Sequence, residues 1–451
     1  MKIDAMYIGV SSGYVLQRQP GGGYLREIGL IPSLGGRSLW VLTPLAEEIT
    51  LLCDGTRPIR ELLQEVGRRF EGEEFDVITS AGDFLLEGLR LGFLEIRPGA
   101  WSGAAPVSGS TQVFRPTHMS IELTNGCNLT CRHCYRGSSP AQDCRLPTDR
   151  TIALLDEMRA AEVSSVELTG GEPTFHPDFD RILLHCVSVF DLTAILTNGT
   201  LLGPERIEML AEHKDRVVLQ MDLDGCTAEL HEGLRGLPGS FKRALEGLHN
   251  LGSLAVPVRV AMTVYPGNLH SVRDTCRLAM DAGARWFACN PIIDVGRATR
   301  DLLLSGEQMG ELLAVIEDLA REMPERIVTS AEIERATTAH RGNCGAGSRS
   351  LVVEPDGKLR ACVLVRTPES NFGDVSAEDF DNVIQKAPLR HFSGMPTPSR
   401  AECGDCEFLP LCEGCILRPV LAWSRAKERR IDIECTWDAH TGLSKLLMAC
   451  C

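Results

Sequence analysis

The sequence predicts an α/β protein in which a partial barrel of six strand–helix units lies between an N-terminal winged helix–turn–helix domain and a C-terminal cysteine-rich domain. Three observations carry that expectation. Over residues 116–323, strand-like apolar runs alternate with helical periodicity six times, as a parallel sheet with crossover helices requires. Residues 97–110 are so rich in Gly, Ala, Ser and Pro that they can neither bury a core nor sustain a helix, and they read as a linker. Beyond about residue 325, long periodic runs give way to Cys, Gly and Pro, the composition of a domain whose core is too small to stand without bound metal. The expected divisions are 1–97, a linker at 98–115, the barrel at 116–323 and the cysteine-rich domain at 324–451.

A chain of 451 residues with 43% apolar content exceeds one ordinary core and has material for roughly two to four domains. Most of its 18 cysteines cluster in short-spaced runs, which in a long chain reads as metal ligation rather than cross-linking. The N-terminus carries Asp4 and no sustained apolar segment, and no run of 18 apolar residues occurs, so neither a secretory signal nor a membrane span is expected. A reducing, low-oxygen cytoplasm is the expected compartment. The formal charge of −15 disfavours nucleic acid, which meets basic surfaces.

In the N-terminal domain a strand is expected at 38–43, followed by the run from Pro44 to Thr56, an amphipathic helix at 59–70, and a third helix running into Gly88-Leu-Arg-Leu-Gly-Phe-Leu-Glu-Ile96. Three short helices with flanking strands point to the winged arrangement. Barrel strands are expected at 119–124, 165–169, 193–197, 217–223, 256–264 and 286–291. Helices fall between them, among them 149–160 with Leu154, Leu155 and Met158 on one face, and 241–251 with Leu245 and Leu248.

The most informative run, Asn125-Gly-Cys-Asn-Leu-Thr-Cys-Arg-His-Cys-Tyr135, follows the first of these strands. Cluster irons are held by Cys thiolates, and a fully protein-ligated cubane needs four. Cys127, Cys131 and Cys134 supply three, which leaves one iron for another ligand. Such thiols also serve zinc loops. The spacing C-x3-C-x2-C, with His133 before the last Cys, resembles the signature of the radical SAM superfamily, in which S-adenosylmethionine (SAM) takes the free iron. That resemblance implies a [4Fe–4S] cluster and SAM as cofactors, with His133 in the cofactor site, and an electron donor such as flavodoxin or ferredoxin. The implied reaction is reductive cleavage of SAM to a 5′-deoxyadenosyl radical, which abstracts a substrate hydrogen.

Further runs fall at expected strand ends, where an α/β barrel keeps its chemistry. Gly170-Gly-Glu-Pro173 resembles the family's GGEP, which implies that the backbone edge of Gly170, Gly171 and Pro173, together with Glu172, holds the SAM amino group. Thr197-Asn-Gly199 resembles a loop lining the same cavity, which places Asn198 there, although Asn-Gly is also simply a good turn. Gln220-Met-Asp-Leu-Asp-Gly225 resembles the strand whose polar groups bind the SAM ribose, with Asp222 standing where Ser is common; either accepts a hydrogen bond from a ribose hydroxyl. His231-Glu-Gly-Leu-Arg-Gly236 resembles the segment whose Arg pairs with the SAM carboxylate, so Arg235 is the candidate. Asn290-Pro-Ile-Ile293, with Pro291, and Gly296-Arg-Ala298 resemble the segment beside adenine that closes the site. No residue is singled out as catalytic base.

Seven cysteines form a second pattern: Cys344-x12-Gly357-x4-Cys362, then Cys403-x2-Cys406-x5-Cys412-x2-Cys415, then Cys435. Paired C-x2-C is also a zinc spacing. The pattern resembles the SPASM domain, which implies two auxiliary [4Fe–4S] clusters, with Cys344, Cys362 and Cys415 on the first and Cys403, Cys406, Cys412 and Cys435 on the second. One gap departs from the family, since two residues rather than the usual three separate Cys412 from Cys415. No obvious fourth thiol precedes Cys344, so an open iron on the first auxiliary cluster is expected, ready for a substrate thiolate; Cys289, Cys450 and Cys451 are the other candidate ligands. Cys53, Cys144, Cys186, Cys226 and Cys276 read as buried small hydrophobes or idle thiols.

In the first domain, the run L-x-P-x-x-x-E-I-x-x-L-C-D-G-T-R, closing in G-x-x-x-G-F-L-E, resembles the PqqD-like element that recognises ribosomally made precursor peptides. The resemblance implies that a leader peptide adds as a strand to the exposed edge of a small sheet. Winged folds also bind DNA, but residues 39–96 hold more Asp and Glu than Lys and Arg. Together the resemblances imply a radical SAM maturase that binds a precursor by its leader and modifies its core, with a Cys thioether as first choice and a carbon–carbon cross-link next. A maturase of a folded protein, like the sulfatase maturases, and a non-catalytic iron–sulfur module delivering peptides are the alternatives.

Overall fold

The computed structural model describes residues 5–28, 39–70, 74–328, 343–366, 370–412, 414–429 and 435–445. The chain divides into two compact units, the first of Met1–Leu30 and Arg37–Arg115, the second of Ile31–Gly36 and Pro116–Cys451.

The first unit contains strands β1 (Tyr7–Val10), β2 (Tyr14–Gln19), β3 (Gly22–Glu27), β4 (Leu39–Leu42), β5 (Asp54–Pro58), β6 (Leu94–Arg97) and β7 (Val107–Gly109), and helices α1 (Pro44–Leu52), α2 (Ile59–Arg69) and α3 (Glu74–Leu91). The strands form two sheets, ordered β5-β1-β6 and β4-β3-β2-β7. Pro44 in the first turn and the Thr43 hydroxyl, which accepts from the Ala46 N–H at 3.2 Å, start α1. Ile59, Leu62 and Val66 turn one face of α2 into a core shared with Ile8, Leu16, Leu25, Ile49 and Phe93. The sequence pattern assigns no element before residue 38, where the structure has β1, β2 and β3. Those runs are short and interrupted by Gly13 and Gly21-Gly-Gly23, so they carry little periodicity.

Residues 98–115, expected as a linker, fold onto this unit. β7 pairs parallel with β2, and the Trp101 and Gly103 N–H groups donate to Gly55 and Asp54 carbonyls at 2.9 Å each. The Arg97 guanidinium lies over the Trp101 ring at 4.1 Å. Glycine explains the difference. A Cβ on Gly9 would sit 2.8 Å from Gly103 Cα, so the residues that read as linker composition are those that let one backbone cross another.

In the second unit, β8 (His118–Thr124), β9 (Ser165–Gly170), β10 (Leu192–Thr197), β11 (Val217–Asp222), β12 (Val258–Val264) and β13 (Trp286–Pro291) run parallel. Each is followed by helix: α4 (Thr148–Ala160), α5 (Phe179–Val189), α6 (Pro204–Glu212), α7 (Ala228–Arg235) with α8 (Ser240–Ser253), α9 (Val272–Asp281) and α10 (Gly306–Glu322). The expected strand ends agree with these to within two residues. β14 (Ile327–Val328) extends the sheet beyond β13. At the opposite edge β15 (Ser350–Val353) pairs parallel with β8 and is followed by β16 (Lys358–Arg360) and β17 (Asn371–Asp374), so the cysteine-rich region continues the barrel sheet.

Strand alternation separates two faces of this sheet. Met119, Ile121, Leu168, Leu219 and Val260 are buried on one. The register brings Ser120, Glu122, Glu167, Gln220, Asp222 and Arg259 together on the other. A barrel interior is ordinarily filled by branched apolar side chains; here the apolar cluster of Leu192, Ala194 and Val218 shares the face with this set of polar and charged groups.

Candidate active site

The cysteine loop leaves the C-terminal end of β8, where the Thr124 hydroxyl accepts from the Gly126 N–H at 2.9 Å and turns the chain. The exit of β9 runs alongside: the Gly171 N–H donates to the Thr124 carbonyl at 2.7 Å and the Glu172 N–H to the Gly126 carbonyl at 2.9 Å. Glycine is required here. A Cβ on Gly170 would lie 2.4 Å from the Thr124 oxygen, and one on Gly171 2.1 Å from that of Gly126. Pro173 then opens a single 3-10 turn, Pro173–Phe175.

Glu172 is buried and ties the exit of β9 to that of β10. Its Oε1 accepts from the Thr197 hydroxyl at 2.6 Å and from the Thr174 hydroxyl, and its Oε2 from the Asn198 N–H at 2.7 Å. Burial pushes the carboxyl up, against the pull of these bonds. The Asn198 amide donates to Asn128 Oδ1 at 3.0 Å and lies 3.9 Å from Cys127 Sγ. Gly170, Gly171, Glu172, Pro173 and Asn198 are thus assembled against the cysteine loop.

Cys127, Cys131 and Cys134 group with Leu129 and Leu237 in one small cluster. Burial, and then the Glu172 carboxylate, push the Cys127 thiol up to about 12, and burial also raises Cys131. Thiols in such surroundings ionise when a metal cation replaces water. His133 adds an unpaired group: its buried Nδ1 meets no partner among the described residues, and burial with the nearby Arg235 lowers its pKa to about 4.

α7 holds the other side of the loop. Gly236 caps it at φ +73°, where a Cβ would meet Thr130 Oγ1 at 2.9 Å, and the Arg132 N–H donates to the Leu234 carbonyl at 2.9 Å. Arg235 Nε donates to Asp224 Oδ2 at 2.5 Å and its Nη1 to Asp222 Oδ2 at 2.9 Å; Nη1 is also 4.0 Å from Cys131 Sγ. Burial opposes the charge of Arg235, but the two carboxylates outweigh it and hold the guanidinium well above its ordinary value. Asp222 is raised by burial. Gln220, on the same strand, accepts from Arg259.

Asp224 is a residue that sequence reasoning misses, although the second acid of Asp222-Leu-Asp224 is a visible signal. It is fully buried and accepts from the Thr263 N–H at 2.8 Å; burial pushes its carboxyl up, yet Arg235 and its other partners bring it below the usual range. His231 accepts from the Asp224 N–H at 3.1 Å and so fixes the end of the strand. Arg297 is the other residue not singled out. Beyond Pro291, at the end of β13, Gly296 at φ +63° lies against the loop, and the Arg297 side chain donates to the Cys131 and Ser138 carbonyls at 2.9 Å each.

Among the C-terminal cysteines, Cys403, Cys406, Cys412 and Cys435 line one cavity with Phe408, Trp423 and Trp437. Cys344, Cys362 and Cys415 neighbour one another: burial pushes Cys362 up to about 12, and the Cys415 and Cys344 thiols add to the rise. Cys289 lies instead beside Cys276 of α9, and Cys450 and Cys451 lie outside the described residues. Among the described residues no three His, Cys, Asp or Glu side chains converge on a single-ion position.

Residues 121–279 match the radical SAM superfamily. The chain is a radical SAM enzyme. Residues 344–407 of this radical SAM enzyme match SPASM, an iron–sulfur cluster-binding domain. It is 28% identical over 456 aligned positions, 99% of each chain, to the antilisterial bacteriocin subtilosin biosynthesis protein AlbA of Bacillus subtilis strain 168. It is 27% identical over 285 positions, 63% of this chain and 69% of the relative, to the sporulation killing factor maturation protein SkfB of the same strain. Streptococcus suis SuiB bound to precursor peptide SuiA superposes with a TM-score of 0.60 and 14% identity, covering 92% of this chain and 97% of that one.

The two domains imply [4Fe–4S] clusters and SAM as cofactors. The residues present fit them. Cys127 and Cys131 are buried thiols grouped with the half-buried Cys134, and the Arg235 guanidinium and a His133 nitrogen that is unpaired among the described residues border them.

Proposed function

We propose that this radical SAM enzyme matures a ribosomally made precursor peptide, holding the leader on the first unit and modifying the core within the barrel. The observation that carries this reading is co-linearity with a bacteriocin biosynthesis protein over 99% of both chains, the first unit included. When bound, the cluster and SAM supply a 5′-deoxyadenosyl radical; the protein holds and aims the reactants. Cys127, Cys131 and Cys134 would hold the cluster. Glu172 Oε2, with one donor bound, retains an acceptor position for the SAM amino group beside the backbone of Gly170, Gly171 and Pro173. Asp222 and Gln220 meet the ribose, the remaining N–H groups of Arg235 meet the SAM carboxylate, and His133, Asn198 and Pro291 line the cofactor.

Cys344, Cys362 and Cys415 are assigned to a first auxiliary cluster, and Cys403, Cys406, Cys412 and Cys435 to a second. Three thiols at the first leave an iron open to a substrate thiolate, which favours a thioether as the product. The first unit is assigned as a PqqD-like winged domain, with β6 as the edge to which a leader adds, since residues 101–103 already bond to β5. A flavodoxin or ferredoxin supplies electrons in the cytoplasm; no described helix is long and apolar enough to cross a membrane. The test is co-expression with a short Cys-containing peptide encoded beside the gene, followed by mass spectrometry. A loss of two hydrogens per site, dependent on Cys127, supports the reading. An unmodified peptide alongside abundant 5′-deoxyadenosine from the reduced enzyme counts against that peptide class.

A further inference from the structure

A network of charges, buried except for Arg366, whose side chain is 33% exposed, joins the loop carrying Cys134 to the loop carrying Cys362. Glu122 of β8 pairs with Arg136, two residues after Cys134, and accepts from the Tyr135 hydroxyl at 3.3 Å. Glu354, just beyond β15, pairs with Arg366, four residues after Cys362, and with Arg360 of β16, at 2.5 Å each. The two halves are cross-connected, since Arg366 reaches Glu122 at 3.8 Å and Arg136 reaches Glu354 at 4.0 Å. The side chains of Glu122, Glu354 and Arg136 are only 1%, 3% and 4% exposed. Tyr135 stands in the same space, its hydroxyl pushed up by burial and then by the Cys134 thiol and the Glu167 carboxylate, with the Cys362 thiol also within reach.

Attachment alone does not account for this arrangement. Buried ion pairs are a poor source of stability compared with apolar packing, and the pairing of β15 with β8 already joins the two regions. What the network adds is a fixed spacing between two cysteine loops, because every guanidinium in it is anchored within four residues of a ligand candidate or on the adjoining strand.

We propose that Glu122, Glu354, Arg136 and Arg366 are positioning residues that set the distance between the radical SAM cluster and the first auxiliary cluster, so that substrate held at one meets the radical made at the other. The proposal rests on the assignment of Cys344, Cys362 and Cys415 to a cluster. Arg366→Gln is the first test, because Glu122 keeps Arg136 and Glu354 keeps Arg360, and no carboxylate is orphaned. In the reconstituted holoenzyme, iron content and SAM cleavage should match wild type. Pulsed EPR of the reduced clusters should show weaker and more broadly distributed coupling between these two. Modified peptide per 5′-deoxyadenosine should fall about tenfold to a hundredfold, the scale of an ångström-sized misplacement. Arg366→Lys, which restores charge without the planar fork, should recover part of both.

Unchanged coupling and unchanged product ratio in Arg366→Gln would overturn the proposal, as would loss of iron from that variant or an iron count showing no cluster at the Cys344 set. Should the wild-type enzyme modify no peptide, the maturase reading fails while the EPR comparison still decides the spacing.

Discussion

Arg235 is held by two carboxylates of different character, and that difference decides what each substitution does. Asp224 is buried and bonded to Nε, whereas Asp222 is partly exposed on the barrel's polar face. Asp224→Ala removes the better-enclosed partner of a buried cation and should cost about 3–5 kcal/mol in denaturant unfolding, with Asp222→Asn costing less. The sign of the pH effect follows from the lowered carboxyl of Asp224. Its stabilisation is complete above the unfolded value near pH ~4 and is lost as pH falls through the lower folded value, so Asp224→Ala should flatten the acid limb of the stability profile. For cofactor binding the informative change is Arg235→Lys, which keeps the charge between the two acids but loses the fork. SAM affinity should drop with iron content intact, and equilibrium dialysis showing unaltered affinity would remove Arg235 from the SAM site. At this scale the sequence is legible wherever backbone geometry demands a residue: Gly170, Gly171 and Gly236 each stand where a Cβ would collide. Asp224 and Arg297 are not legible, because their partners Thr263 and Cys131 lie far off in sequence and only folding brings them near.

At the level of elements, strands buried on a parallel sheet write long apolar runs, and β8 to β13 are read correctly for that reason. Strands β1 to β3 and β7 are short, glycine-broken or edge-like, so their pairing partners, not their own patterns, define them. The distinction changes where the chain should be cut. A break before Thr111 would strand Arg115, whose carbonyl and N–H are bonded by the Gln19 side chain at 2.9 and 2.8 Å. Cutting between Arg115 and Pro116 leaves the first unit's bonds intact and takes only Ile31–Gly36 from the second. The remaining 116–451 protein should keep its clusters and cleave SAM, but modification of full-length precursor should fall strongly, since tethering gives the core an effective concentration in roughly the millimolar range. The first unit added in trans should restore little. If the truncated enzyme processes precursor as efficiently as the intact one, the leader-binding role of the first unit is lost and the folded-protein maturase moves ahead.

For the molecule as a whole, the three cysteine sets differ in how much of the fold depends on them. Replacing Cys127, Cys131 and Cys134 by Ala should remove one cubane of iron and abolish SAM cleavage, because the residues proposed to hold SAM, Asn198 and Arg235 among them, gather at this set; persisting 5′-deoxyadenosine would refute that assignment. The set around Cys403 is another matter. Its cavity is lined by the four thiols with Phe408, Trp423 and Trp437, so a cluster held there, as proposed, would couple metal binding to local folding. The rest of the C-terminal region does not share this dependence, since β15 belongs to the barrel sheet and Phe380 and Phe392 are fully buried elsewhere. The sequence alone gave no hint of this division, expecting the whole of 324–451 to lean on metal. A Cys403→Ala, Cys406→Ala variant should therefore lose one cubane of iron and become protease-sensitive only around residues 400–445, while the barrel keeps its own cluster and goes on cleaving SAM without productive modification. Global unfolding of the variant would show that the hairpin of β15 and β16 cannot hold without that cluster. Stoichiometric zinc after anaerobic purification, with a single iron population by Mössbauer spectroscopy, would replace the auxiliary clusters by structural zinc.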